Sequence, residues 1–163
     1  MDDLAGEPNN FVNKIWAGLI QRKEAPAYGE VLYEWGIEPS NVIGLPPKFH
    51  TIREDKHNRW KPGVKIHPVI NNRTKDRFQF APTLVCTGVQ EIHIQHYPGQ
   101  ILTYVDRQLF GDVFHHGLDD IYEYTNDLET LAINDGFPSV EAFFRWFNKD
   151  FGGKIIHWTD LKY

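Results

Sequence analysis

The feature that most constrains this chain is a change of hydrophobic period along its length. From residue 11 to 20, the apolar side chains fall at Phe11, Ile15 and Leu19 and at Val12, Trp16 and Ile20, the spacing of a helix with one broad buried face. The period then shortens. Residues 65–70, 78–80, 84–89, 92–94 and 101–105 are short runs rich in β-branched and aromatic residues, and they read as strands. After Phe110 the helical period returns. Leu118, Ile121, Tyr122, Thr125, Leu128, Leu131 and Ala132 form one stripe that predicts a helix ending at Gly136. Ser139 caps a further predicted helix with a buried face of Val140, Phe143, Phe144, Phe147 and Phe151, stopped by Gly152-Gly153. Residues 154–162 read as a closing strand. This order predicts an α+β domain, and the Gly and Pro bends favour a small β-barrel of about five to seven short strands over an open sheet.

The punctuation divides the chain further. Asn9 or Asn10, after Pro8, is the expected N-cap of the first helix. A second helical pattern over residues 28–35 ends at Gly36, and Glu38-Pro39-Ser40 opens a connection to Leu45-Pro46-Pro47. Residues 1–47 therefore read as an N-terminal helix and helical insertion, and 48–163 as the barrel. Lys61-Pro62-Gly63 has the order of a type II turn, because Pro presets φ and Gly accepts a positive one. Pro68 and Pro82 suit edge or bent strands, and Gly88 is expected at a bulge.

Composition bounds the setting. The 163 residues are 41% hydrophobic, with a net charge of -5 and a single cysteine, Cys86. A lone cysteine forms no disulfide within the chain and points to a reducing, cytoplasmic compartment. The acidic start Met1-Asp2-Asp3-Leu4 does not resemble a secretory signal, and no apolar run approaches the roughly 18 residues of a membrane span, so no membrane partner is expected. The charge is segregated. Between Lys48 and Arg77 nine Lys and Arg stand against Glu54, Asp55 and Asp76, a local +6 on an acidic chain. Such a basic face concentrates phosphates.

The same segment carries the most informative motif, Lys48-Phe49-His50-Thr51-Ile52-Arg53, followed by the turn at Trp60-Lys61-Pro62-Gly63. It resembles the ASCH family, whose PUA-like barrels carry Lys-x-x-Thr-Ile/Leu-Arg before a Gly-containing turn. Asp135-Gly136-Phe137 is similar to the family's acidic-Gly-Phe element, and the first helix and the closing strand from Ile155 fit its outline. The resemblance covers roughly residues 9–20 and 48–163. Two departures stand out: about two dozen extra residues precede Lys48, and Asp135 occupies the place where acetylcytidine amidohydrolases of this family have Glu.

The resemblance implies a cleft for RNA or a modified nucleoside and, in some members, hydrolysis of an acyl amide. Carried over by position, Thr51 is the nucleophile, Lys48 its base and Asp135 the carboxylate. Arg53, His50 and Trp60 become ligand-binding residues, and Arg59, Lys61 and Lys65 nucleic-acid contacts. The chemistry has conditions. A Thr hydroxyl needs an adjacent base, and Lys serves only if burial or a nearby cation such as Arg53 lowers its pKa. In a regular strand Lys48 and Thr51, three residues apart, point to opposite faces, so activation also needs a bend, for which Pro46-Pro47 is the candidate. Asp135 in the last turn of a helix faces the negative end of the dipole and calls for a cation. The competing readings are a non-catalytic RNA-binding or interaction module and a nuclease. No cofactor is implied. The eight histidines, including His93, His96, His115 and His116, show no metal-ligand spacing, and neither a phosphate-loop nor a dinucleotide motif is present.

Overall fold

The computed structural model describes residues 10–22 and 30–163. Its centre is a curled antiparallel sheet of six strands in the order β1 (His50–Arg53), β10 (Phe151–His157), β6 (Gly88–Tyr97), β7 (Gln100–Val105), β8 (Gln108–Gly117) and β9 (Asp120–Tyr124). Strands β1 and β9 are the edges, so the sheet forms a half-barrel. Two short ribbons extend from it: β2 (Lys65–Ile66) with β5 (Leu84–Val85), and β3 (Val69–Ile70) with β4 (Phe78–Gln79). The helices are α1 (Phe11–Gln21), α2 (Glu30–Glu34), α3 (Asn126–Asn134) and α4 (Val140–Trp146), with a 3-10 turn at Pro39–Asn41. No helix among the described residues is long and apolar enough to cross a membrane.

Two cores form. In the first, one face of the sheet presents Ile52, Ile92, Ile94, Ile101, Val105, Val113 and Ile155 to the apolar stripes of α3 and α4, chiefly Leu128, Leu131, Phe143, Phe144 and Phe147. The second core joins Trp16 and Leu19 of α1 with Phe80, Ala81 and Trp158, and it takes in Leu32, Ile37 and Val42 of the segment before Lys48. Strand β10 contributes Ile155 to the first core, its neighbour Ile156 is fully buried as well, and Trp158 just beyond the strand belongs to the second core. The type II turn forms as read: Val64 N–H donates to the Lys61 carbonyl, and Gly63 has φ +91.

Several expectations are corrected. The stripe from Leu118 is not one helix. Residues 120–124 form β9, and the helix begins only at Asn126, because Ile121, Glu123 and Tyr124 pair across to β8 and the dense aromatic and β-branched content outweighs the helical spacing. Strand β8, which includes His115 and His116, was not among the strands read from the sequence. It follows a two-residue hairpin turn at Asp106-Arg107, both with positive φ. The Asp106 carboxylate fixes that turn by accepting from Glu91 N–H and the Gln90 amide, so no glycine is needed. Phe151, Gly152 and Gly153 belong to β10, and α4 stops at Trp146. Gly88 opens β6, and the strand is interrupted at Cys86-Thr87. Asn10 occupies the N-cap position in a left-handed conformation without a side-chain cap. Asn9 and the start of the second predicted helix at Tyr28 lie outside the described residues.

Candidate functional site

The carboxylate end of the site is a helix terminus. Asp135 is the C-cap of α3, Gly136 follows with φ +92, and Phe137 N–H donates to the Ala132 carbonyl while Gly136 N–H donates to that of Ile133. This is a Schellman ending, and Phe137 supplies its apolar contact by packing on Phe143. Acidic-Gly-Phe is thus a helix stop that aims a carboxylate. The last carbonyls of α3 are then met by two ammonium groups. Lys48 Nζ donates to the Asp135 carbonyl and, at 2.6 Å, to its Oδ1, while Lys14 Nζ donates to the Gly136 carbonyl at 2.7 Å. Cations at this end also oppose the helix dipole.

Backbone contacts hold these pieces together. Lys48 N–H donates to the Lys14 carbonyl, and Phe49 N–H to that of Asn134. A Cβ on Gly18 would stand 2.7 Å from the Lys48 carbonyl oxygen, so a residue without a side chain lets α1 approach. Ile52 N–H donates to Asp135 Oδ1 at 3.1 Å. Lys48 and Asp135 each leave about 6% of their side chain exposed, a nearly closed ion pair. Burial pulls the Lys48 ammonium below its ordinary pKa against the attraction of Asp135, with Arg53 and Lys14 adding to the fall. Burial acts to raise the Asp135 carboxyl, but Lys48 and His50 outweigh it and hold it below the usual range.

A polar chain continues inward from this pair. His50, expected as a ligand-binding residue, is fully buried, with its Nδ1 3.6 Å from Asp135 Oδ1 and its Nε2 2.7 Å from the Tyr163 hydroxyl. Asn134 donates to the same hydroxyl, and Gln90 joins the Tyr163 main chain to His157 Nε2. Burial lowers the pKa of both imidazoles, that of His157 to about 4, and pushes the Tyr163 phenol up. Both rings are therefore neutral at pH 7. Lys14, Gln90, His157 and Tyr163 escaped the sequence reading. None of the four left a signal there, since Lys14 falls off the apolar stripe of α1 and looks like a solvent-facing cation.

The remaining candidates lie elsewhere. In β1, Thr51 and Arg53 alternate with the buried His50 and Ile52 and so face the other side of the sheet; Thr51 is half-buried and Arg53 exposed. Among the described residues no hydrogen bond links Thr51 to Lys48. Arg53 lies opposite Lys154 of β10, whose ammonium is 3.2 Å from Asp55. Asp55 also accepts from the main-chain N–H groups of Arg59 and Trp60, which ties that turn to β10 through Lys154. Trp60 is half-buried, and Arg59, Lys61 and Lys65 are exposed. The structure thus separates an inner group of Lys48, His50 and Asp135 from an outer group of Thr51, Arg53, Arg59 and Trp60. Among the described residues no three His, Cys, Asp or Glu side chains converge as metal ligands would. Comparison with known proteins finds no matching family model, no matching curated protein and no matching solved structure.

Proposed function

We propose that the chain is a PUA-like domain of the ASCH type that binds single-stranded RNA or a modified nucleoside on the outer face of β1. The buried Lys48–Asp135 pair is the foundation that fixes that strand. One observation carries the reading: the lysine that opens the motif and the carboxylate of acidic-Gly-Phe, 87 positions apart, meet in one ion pair. Around the strand so fixed, Arg53 offers a planar cationic fork to phosphate or carbonyl oxygens, Arg59 and Lys61 supply further charge, and Trp60 supplies a ring for stacking.

Binding is better supported than hydrolysis. An acyl transfer to Thr51 needs a base within hydrogen-bond reach of its hydroxyl. The Lys48 ammonium is engaged by Asp135, and Thr51 lies on the opposite face of the strand.

The test is titration of the full chain with single-stranded RNA and with acetylcytidine at several salt concentrations, alongside an assay for released acetate. The expected result is salt-dependent binding, weakened by Arg53→Ala, without turnover. Absence of binding to either ligand sinks the reading. Acetate release that disappears in Thr51→Ala would replace it with the amidohydrolase.

A further inference from the structure

Residues 65–85 form an arm whose construction the β1 site does not explain. The arm is anchored at its base. Gly63 N–H donates to the Cys86 carbonyl and Cys86 N–H to that of Val64, β2 pairs with β5, and Phe80 is buried beside α1 with its carbonyl accepting from Trp16 Nε1 at 2.9 Å. Its far end is bound to itself. Thr74 Oγ1 donates to the Asn71 carbonyl, Asp76 N–H donates to Thr74 Oγ1, and the Asn71 amide donates to the Asp76 carbonyl. Asn71 and Arg73 take positive φ to close the turn. The tip is thus shaped before any partner arrives.

Two properties of this arm point outward. Ile70 and Phe78 are direct partners in the β3–β4 ladder and share one face, yet they are 37% and 52% exposed, whereas Phe80 two residues on is 2% exposed. Lys65, Arg73, Lys75 and Arg77 stand against the lone carboxylate of Asp76, a local +3 on a chain of net charge -5. Among the described residues none of these four cations forms an ion pair, while Lys48, Arg107, Arg145 and Lys154 on the body each pair with a carboxylate. An open aromatic face among unpaired cations is the surface that a polyanion with unstacked planar bases would fit.

We infer that the arm captures single-stranded RNA, with Phe78 stacking on a base and Arg73, Lys75 and Arg77 holding the phosphates on either side. This rests on the RNA-binding reading above and adds a second contact region, remote in sequence from Asp135. A duplex has no free base for Phe78, which favours the single strand. An anionic phospholipid surface is the competing occupant, and the test separates the two.

Binding of a labelled oligouridine to the full chain is followed by fluorescence anisotropy over a series of salt concentrations. The triple variant Arg73→Ala, Lys75→Ala and Arg77→Ala is expected to flatten the log affinity against log salt slope by about 2, because each phosphate contact on a single strand contributes roughly 0.7. Phe78→Ala is expected to weaken binding by about five-fold or more while leaving the slope unchanged. The altered residues are exposed, so both variants should keep the parent's circular dichroism and Tm. If the parent binds oligouridine and both variants match it in affinity and slope, the arm has no such role and the β1 reading survives alone. If the parent binds no RNA, the arm inference falls, and the β1 reading then stands or falls on the acetylcytidine titration. Arm-dependent capture by phosphatidylserine vesicles without RNA binding assigns the surface to lipid and overturns the inference.

Discussion

Lys48 Nζ lies 2.6 Å from Asp135 Oδ1 and also donates to the main-chain carbonyl of the same residue, so a single buried cation neutralises a carboxylate and closes the end of α3. Removing either partner strands a charge where water cannot replace it. Lys48→Met or Asp135→Leu alone should cost on the order of 3–5 kcal/mol in urea unfolding, and the two together much less than their sum. Additive losses across this double-mutant cycle would show that the pair is not coupled.

Gly136 is required twice over. Its φ of +92 is unfavourable for any residue with a Cβ, and a Cβ there would stand 3.2 Å from Lys48 Cδ. Gly136→Ala should therefore destabilise by about 1–3 kcal/mol, combining left-handed strain with displacement of the lysine. Gly117→Ala is the control, because nothing lies within 4 Å of its built Cβ and its φ is not positive. That change should stay within roughly 0.5 kcal/mol. Equal Tm values for the two variants would contradict the close approach.

What the sequence made legible was local. Where one period ran unbroken, as in α1 and in α4 as far as Trp146, or where Pro62-Gly63 dictated a turn, the element followed. Reading failed where a distant group decided. Asp106-Arg107 turns a hairpin because the Gln90 amide and Glu91 N–H hold the aspartate, and no neighbour of Asp106 in the chain announces this. The stripe from Leu118 was ambiguous for a different reason: Ile121 and Tyr124 satisfy both periods, and pairing with β8 decides between them. In the candidate site, the need of Asp135 for a cation was legible from its place before Gly136. The burial of His50 was not, since its ring is met by the distant Tyr163 hydroxyl, to which Asn134 also donates.

The buried imidazoles make stability depend on pH with a definite sign. His157 is held down to about 4 by burial, with His50 and Lys162 adding to the effect, and His50 is lowered in the same direction. Between about pH 6.5 and 4 the unfolded chain binds the proton and the folded one resists it. Stability is therefore full above pH 6.5 and declines as the pH falls, by roughly 2–3 kcal/mol for His157 by pH 4. Urea midpoints at pH 7, 6, 5 and 4.5 should trace that decline. His157→Leu, which cannot protonate, should start lower after losing the Gln90 bond but fall less steeply. An unchanged slope would assign the acid sensitivity to other groups.

The two aromatic residues of the arm should separate anchoring from contact. Phe80 is buried against Phe11, ring centroids 5.2 Å apart, and its carbonyl takes the Trp16 indole N–H, whereas Phe78 stands open to solvent. Truncating Phe80 to Ala empties a packed site and should cost about 3–5 kcal/mol, while Phe78→Ala should change stability by less than about 0.5 kcal/mol. Because β2 to β5 are short and reach the body through Phe80 and Ala81, with Ile66, Leu84 and the Cys86 hydrogen bonds beside them, the arm should loosen before the half-barrel does. Limited proteolysis of Phe80→Ala is expected to cut first within residues 65–85, and Phe78→Ala should be cut no faster than the parent. Equal protection of both variants would mean that the arm is held by contacts other than the Phe80 anchor.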